Sequence, residues 1–527
     1  MTDGTSVIAD VIIGMDAGTS VLKAVAFTLE GDEIGMASRP NSYRIGPDGA
    51  AEQDMERTWA GTAGALRDLT DSTPGLRGRV RALAVTGQGD GTWLIDSAGN
   101  PVGPAWLWLD GRAAEETRRV RERPDYQALY DATGTGVAPC QQSSQLAWMV
   151  RHTPDVLQRA ATAFHCKDWL YYRLTGQRVT DPSEAVLTFG NFRTRQYSDE
   201  PLAQFGLESH ARLLPDIVDG MKDSHPLTRE AADATGLPEG LPVILGYIDG
   251  VCTALGGGIH DPAGGAAFSI IGSTGVHMRY VTGAQSVRSS PRLSGYTMCC
   301  PLPETYIQMH SNLSGTLNID WLLDLMRDIL EDSGVSRSRE DLMPRIDALA
   351  HVGEAGRILY HPYISPAGER GPFLAPEARA SFTGLDSGAG LAELARAVLE
   401  GLAYAARDCH SDMGPVPPEV RLAGGASRSS VLRAILGAVL DRRLRRTRRD
   451  ETGAAGAAMI AAMQQGIYTT MEDCTADWVT PLLTAAEAPD PELVGIYEEL
   501  YPLYVRTREA LAPVWSAHAA VNRRADR

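Results

Sequence analysis

A chain of 527 residues is longer than one ordinary domain, and 43% hydrophobic with 22% charged residues is the composition of a folded protein, so two large domains or three smaller ones are expected. A formal net charge of −17 argues against nucleic acid or an anionic membrane as the main partner, and an anionic ligand then needs a local positive site. No apolar run is long enough to span a bilayer and the N-terminus lacks a basic stretch followed by an apolar one, which predicts a cytoplasmic protein.

Two residue types stand out. Lys23, Lys167 and Lys222 are the only lysines among 49 basic residues, so each invites a question about its role. The seven cysteines form no Cys-x-x-Cys pair and no zinc-like spacing with histidine, which predicts reduced thiols.

In chain order, VIIGMDAGTSVLKAVAFTLEGDEI, residues 11 to 34, places two apolar runs about a turn of small residues and reads as a hairpin. Residues 55 to 71 carry helical spacing through Met55, Trp59, Ala63 and Leu66. ALAVTGQGDGTWLID, residues 82 to 96, reads as strand, Gly-rich loop and strand, and a largely helical stretch then runs to about residue 225. PVILGYIDGVCTALGGG, residues 242 to 258, has the form of a buried strand, a turn carrying Asp249 and a small-residue helix. DPAGGA, residues 261 to 266, is a junction, which divides the chain into domains 1–260 and 261–515.

AAFSIIGSTGVHMRYV, residues 266 to 281, repeats the opening hairpin, and the pair of hairpins points to an internal duplication. The second half continues with a helix around 313 to 328, the irregular HPYISPAGERGPF, a helix over 390 to 411, the strand, Gly turn and helix of VRLAGGASRSSVLRAILGAVL, and an Ala-rich helix over 452 to 465 as the last element. Alternating strands and helices predict an α/β fold.

Phosphoryl transfer needs donors around phosphate oxygens, a carboxylate near a metal ion and a second carboxylate to take the acceptor's proton. Neither a Walker motif nor a dinucleotide fingerprint occurs. Asp16 is instead followed by Gly18, Thr19 and Ser20 in a turn whose backbone amides face an anion, with Lys23 able to point back from the second strand. Gly272, Ser273 and Thr274 form the partner turn in the second hairpin. Asp249 falls between strand and helix, where it serves equally as a cleft carboxylate or a helix cap. Gly424, Gly425 and Ser427 form a strand-to-helix turn suited to the close approach of an adenosine, or simply a capped tight turn.

Gln88, Asp90, Trp93, Trp106, Trp108, Asp110 and Arg112 cluster on two loops, a mixture that suits a polyol. Tryptophans are more often core, so the polar members are preferred over Trp93 and Trp108. Arg442 to Arg449 has the look of a nucleic-acid patch, but an amphipathic strand on an acidic protein explains it more cheaply.

Seven ordered motifs, DAGTSVLK, KDWLYYRLTG, GYIDGVCTALG, GSTG, GERGPF with PEARASFTGL, AGGASRS and ETGAAGAAMIAA, together resemble the FGGY carbohydrate kinases. The resemblance runs from about residue 10 to residue 510 and implies two actin-like (ribonuclease H-like) ATPase domains about a cleft. It further implies ATP and Mg2+ as cofactors, Asp249 as general base and substrate ligand, and Asp16 with Asp249 at the magnesium. Gly18, Thr19, Ser20, Lys23, Gly272, Ser273 and Thr274 then attend the phosphates, and Gly424, Gly425 and Ser427 line the nucleotide site. Gln88, Asp90, Trp106 and Asp110 face the acceptor, with Gly89 making room for it.

Finer likeness through AVTGQGDGTWLID, PAWLWLDGR and TDPSEAVLTFGNFRTRQY implies that the acceptor is erythritol, phosphorylated at a terminal hydroxyl. Xylulose, ribulose, xylitol or glycerol are the alternative acceptors, and a non-catalytic regulator binding nucleotide and polyol is the rival of another class. The expected partner is thus a small polyol or sugar, with no nucleic acid and no membrane, and a homodimer is the assembly considered.

Overall fold

The computed structural model describes residues 10 to 261 and 266 to 525. The predicted junction at 261 to 266 lies largely outside the described residues.

The first six-stranded sheet runs His225–Pro226, Pro242–Leu245, Val80–Gly87, Val11–Ala17, Val21–Thr28, Glu33–Pro40. Val11–Ala17 is antiparallel to Val21–Thr28 and parallel to Val80–Gly87, which is in turn parallel to Pro242–Leu245. The second sheet runs Tyr296–Cys299, Thr305–Asn312, Gly275–Thr282, Ala266–Ile271, Glu419–Ala423, Arg443–Arg446. Ala266–Ile271 is again antiparallel to its hairpin partner and parallel to Glu419–Ala423, itself parallel to Arg443–Arg446. Apart from one short strand at the edge of each sheet, the two share the chain order 3-2-1-4-5, so the duplication suggested by the hairpins extends to topology.

The alternation of Val11–Ala17 sets the site. Val11, Ile13, Met15 and Ala17 enter the core under the helices Met55–Ser72 and Cys166–Thr175. Ile12 and Asp16 take the opposite face by the period of two. Gly14 is on that face as well, and any Cβ there would strike the backbone of Ala454. The helix Thr452–Gln464, from late in the chain, therefore lies directly on the first sheet. It shares a core between the two sheets with the helix Asp249–Gly256, joining Ile12, Ala82 and Ile244 of one sheet to Phe268, Met278 and Ile307 of the other. The two helices meet at Gly256 and Gly456, where an added Cβ on either would collide with the backbone of the other.

Helices are found over Leu391–Asp412, as predicted to within a residue, and over Leu317–Asp332, which starts late because Leu313–Gly315 is held as a loop, with the Gly315 amide on the Ser273 carbonyl at 2.7 Å. Arg339–Val352 is a helix not anticipated. Thr452–Gln464 is also not the last element. Met471–Trp478 and a 35-residue helix, Pro491–Ala525, follow it. The long helix tolerates Pro502 and Pro513 because Tyr497, Tyr504 and Trp515 are buried against the second domain. All seven cysteines are buried and free, and among the described residues no helix is long and apolar enough to cross a membrane.

Candidate active site

In open α/β sheets ligands gather at the carboxyl ends of parallel strands. Here three such ends of the first sheet carry Asp16, the Gln88–Asp90 loop and Asp249 side by side. The second sheet presents Gly272–Thr274 and Gly424–Ser427 from the ends of two adjacent parallel strands.

Asp16 points to the start of Thr452–Gln464, where a Cβ on Gly453 would run into its Oδ2. Lys23, opposite Asp16 in the hairpin register, shares that face and pairs with Glu451, Nζ to Oε2 2.8 Å. Burial raises the Asp16 carboxyl to about 6; Lys23 pulls it down and Glu451 pushes it up. Asp249 opens its helix and is raised to about 7, first by burial and then by the charge of Asp16. Both residues are half-buried.

The Gln88–Asp90 loop is tied to the Gly18–Ser20 turn. Thr19 Oγ1 donates to Gln88 Oε1 at 2.9 Å and accepts from Trp108 Nε1 at 2.8 Å, and Gln88 Nε2 donates to Gln53 Oε1 at 2.7 Å. Trp108, set aside on general grounds, thus stands in this network, whereas Trp93 is wholly core. Asp90 adopts a positive φ of 54° and accepts from the Tyr296 hydroxyl, which reaches across from the second sheet, at 3.0 Å. Burial raises its pKa, while Tyr296 and the Arg370 guanidinium work the other way. Asp90 Oδ1 is buried and has no partner.

Three sequence expectations are revised by this geometry. The space beside Gly89 is filled by the Ile248 side chain, so the glycine serves packing and does not leave room for a ligand. Asp110 is 1% exposed, accepts from the Ala51 amide at 2.8 Å and is paired with Arg112. Its carboxylate is already in use. Trp106 is 6% exposed with the Arg112 guanidinium 3.3 Å over its ring, so its ring face is already covered.

Sequence reading missed Tyr296, Arg370, His165 and Glu184. Glu184 is fully buried, sits against Gly89 and lies 3.4 Å from His165 Nε2, and burial pushes its pKa well up. Its sequence signals were the Asp-Pro helix start just before it and its place in the segment TDPSEAVLTFGNFRTRQY.

On the second domain, Gly424 has a φ of 86° and packs against the Ile271 backbone, while Ser427 Oγ donates to Gly424 O at 2.7 Å. A cavity of about 420 Å³ opens beside this turn, lined by Thr253, Ile270, Gly424, Gly425, Arg446 and Thr452 among others. Arg443–Arg446 is a strand, as the amphipathic reading required, and the arginines of the run are largely turned to intramolecular partners: Arg445 to Glu419, Arg448 to Pro481 O and Arg449 to Gly31 O and Trp478 O.

Residues 11–256 match the FGGY family of carbohydrate kinases, N-terminal domain, and residues 267–465 its C-terminal domain. The chain is 50% identical over 511 residues to the erythritol kinase of Brucella abortus (strain 2308), covering 97% of this chain and 98% of that one. It is 30% identical over 517 residues to the xylulose kinase of Escherichia coli (strain K12), covering 95% and 99% of the two. The solved xylulose kinase from Rhodospirillum rubrum superposes with a TM-score of 0.86 at 28% identity, covering 96% of this chain and all of that one. With a duplicated sheet, loops converging from both halves and both family domains matched, the chain belongs to the FGGY family of carbohydrate kinases and has their two-domain, actin-like (ribonuclease H-like) fold.

Proposed function

We propose that this kinase transfers the γ-phosphoryl group of ATP to a terminal hydroxyl of erythritol. For the acceptor, the support is the identity of 50% with the erythritol kinase of Brucella abortus (strain 2308) over nearly the whole of both chains. For the chemistry, the support is Asp249, a carboxylate raised to about 7 at the edge of the cleft and therefore poised to hold a proton near neutrality.

In this reading Asp249 withdraws the proton of the attacking hydroxyl as the new O–P bond forms and the bond from the γ-phosphorus to the ADP oxygen breaks. Gly18, Thr19, Ser20, Gly272, Ser273 and Thr274 offer amides and hydroxyls to the phosphates, Lys23 adds charge, and Gly424, Gly425 and Ser427 border the adenosine. Gln88 and the open oxygen of Asp90 face the acceptor, with Trp106 and Asp110 holding their loop from behind. Asp16 and Asp249 suit a Mg2+ ion, since two carboxylates with water and phosphate oxygens satisfy its habit and no denser ligand cluster exists among the described residues. When bound, the ion neutralises phosphate charge. Closure of the domains, boundary near residue 260, excludes water as a competing acceptor.

The test is ADP release with ATP and magnesium over erythritol, threitol, xylitol, ribitol, glycerol, xylulose and ribulose, with the Asp249→Asn protein as background. Preference for erythritol supports the reading. Preference for a pentulose or glycerol would keep the kinase and change the acceptor.

A further inference from the structure

Lys167 is one of only three lysines in the chain, and it is fully buried. A buried ammonium persists only if paired. Lys167 is paired twice, with Asp168 at 2.6 Å and with Asp181, both also fully buried. These charges hold its pKa up against burial, and Asp168 is kept down at about 2, Lys167 and His165 overcoming the burial that opposes its charge.

Asp181 is the N-cap of the helix Pro182–Phe189, accepting from the Ser183 amide at 2.7 Å. It also accepts from the Ser183 hydroxyl. A hydroxyl has one proton to give, and with that proton committed to Asp181 Oδ1 its lone pairs must face elsewhere. They face the amide of Ile248, which donates to Ser183 Oγ at 2.9 Å. Ile248 directly precedes Asp249 in the chain. On the other side, Thr86 Oγ1 fixes the Tyr247 carbonyl at 2.7 Å.

We propose that Lys167, Asp181 and Ser183 form a buried positioning relay that fixes the backbone from which Asp249 projects. The ammonium pairs with and anchors Asp181, Asp181 orients the Ser183 hydroxyl, and the hydroxyl holds the Ile248 amide. The relay rests on Asp249 being the base. None of its three members touches substrate; they act through Asp249.

The experiment is a double-mutant cycle of Ser183→Ala and Asp249→Asn, with phosphoryl transfer followed by radiolabel so that low residual rates are read. Ser183→Ala in the unaltered protein is expected to lower kcat about ten- to a hundredfold, as misplacement of a reacting group does, with KM for ATP within about twofold. In the Asp249→Asn background the same change is expected to cost nothing further. An equal loss in both backgrounds would overturn the relay, because a general structural effect does not depend on Asp249. Unchanged kcat for Ser183→Ala would overturn it as well, and near-normal turnover of Asp249→Asn alone would remove the base assignment itself. Should Ser183→Ala fail to fold, Ser183→Cys, which keeps a weaker donor and acceptor at the same point, carries the same cycle.

Discussion

The charge of Asp16 raises the proton affinity of Asp249, although the strand Val80–Gly87 runs between the two strands that deliver them. Two carboxylates that feel each other's charge, with Lys23 already shared with Glu451, form a site that is short of positive charge.

Replacing Asp249, the proposed base, is the most direct test. Asp249→Asn keeps size and hydrogen bonding but cannot take a proton, and is expected to lower kcat about 10²- to 10⁴-fold while ATP still binds. Steady-state turnover with equilibrium nucleotide binding checks both halves; turnover near the unaltered value would dismiss Asp249 as base.

Acidity should matter in a defined direction. With Asp249 raised to about 7, the ionised form that the proposed role needs is lost as pH falls, so kcat/KM should rise with pH through a midpoint at or somewhat below that value, since a bound cation favours the ionised carboxylate, and level off above the midpoint. A profile flat from acid to neutral pH would contradict this.

The same shift acts on stability. Because Asp249 binds its proton more tightly when folded, the folded state carries more protons between about 4 and 7, and ligand-free stability falls as pH rises through that window. Asp249→Asn should therefore gain about 1–2 kcal/mol over the unaltered protein at pH 8 and lose that gain near pH 4, the usual trade between activity and stability. Chemical denaturation at the two pH values measures it.

Gly89→Ala should act on Asp249 from the other side. Its Cβ would meet the Ile248 side chain and approach Glu184 Oε1 to 3.1 Å, so overpacking of about 1–3 kcal/mol is expected, together with a lower kcat and a raised acceptor KM. An effect on ATP affinity alone would argue against this geometry.

Lys23→Met removes the one lysine beside Asp16 and leaves Glu451 without its partner. KM for ATP should rise about tenfold, the scale of one hydrogen bond to a charged group. An unchanged KM would confine Lys23 to its pairing with Glu451.

How far the sequence could be read depended on whether the signal was local. Asp16, Gln88, Asp249 and Gly424 each follow an apolar run that ends in small or polar residues, so strand ends and loops were legible one by one. Their convergence came from parallel pairing between distant strands, anticipated only through the repeated hairpin and the family likeness. Tyr296 and Arg370 act on Asp90 from the other half of the chain; Arg370 lies in the GERGPF motif, but nothing local to either residue points to Asp90. Asp110 looked like an acceptor ligand because an aspartate near tryptophans suits a polyol; only the fold reveals that Arg112 and the Ala51 amide have already claimed it. Pro491–Ala525 was not anticipated, although Tyr497, Tyr501, Tyr504 and Arg508 keep helical spacing, which Pro502 and Pro513 interrupt in sequence but not in the fold.

The helix Thr452–Gln464 is encoded with the second half but roofs the first sheet, over Ile12, Val25, Ala82 and Ala84. Chimeras between relatives that exchange residues up to about 260 would therefore graft a new sheet beneath an old roof, with Gly14 and Gly453 set against unfamiliar neighbours. Exchanges that carry residues 452 to 464 along with the first half preserve that seam, and inheritance in this protein is accordingly better followed by packed layer than by position along the gene.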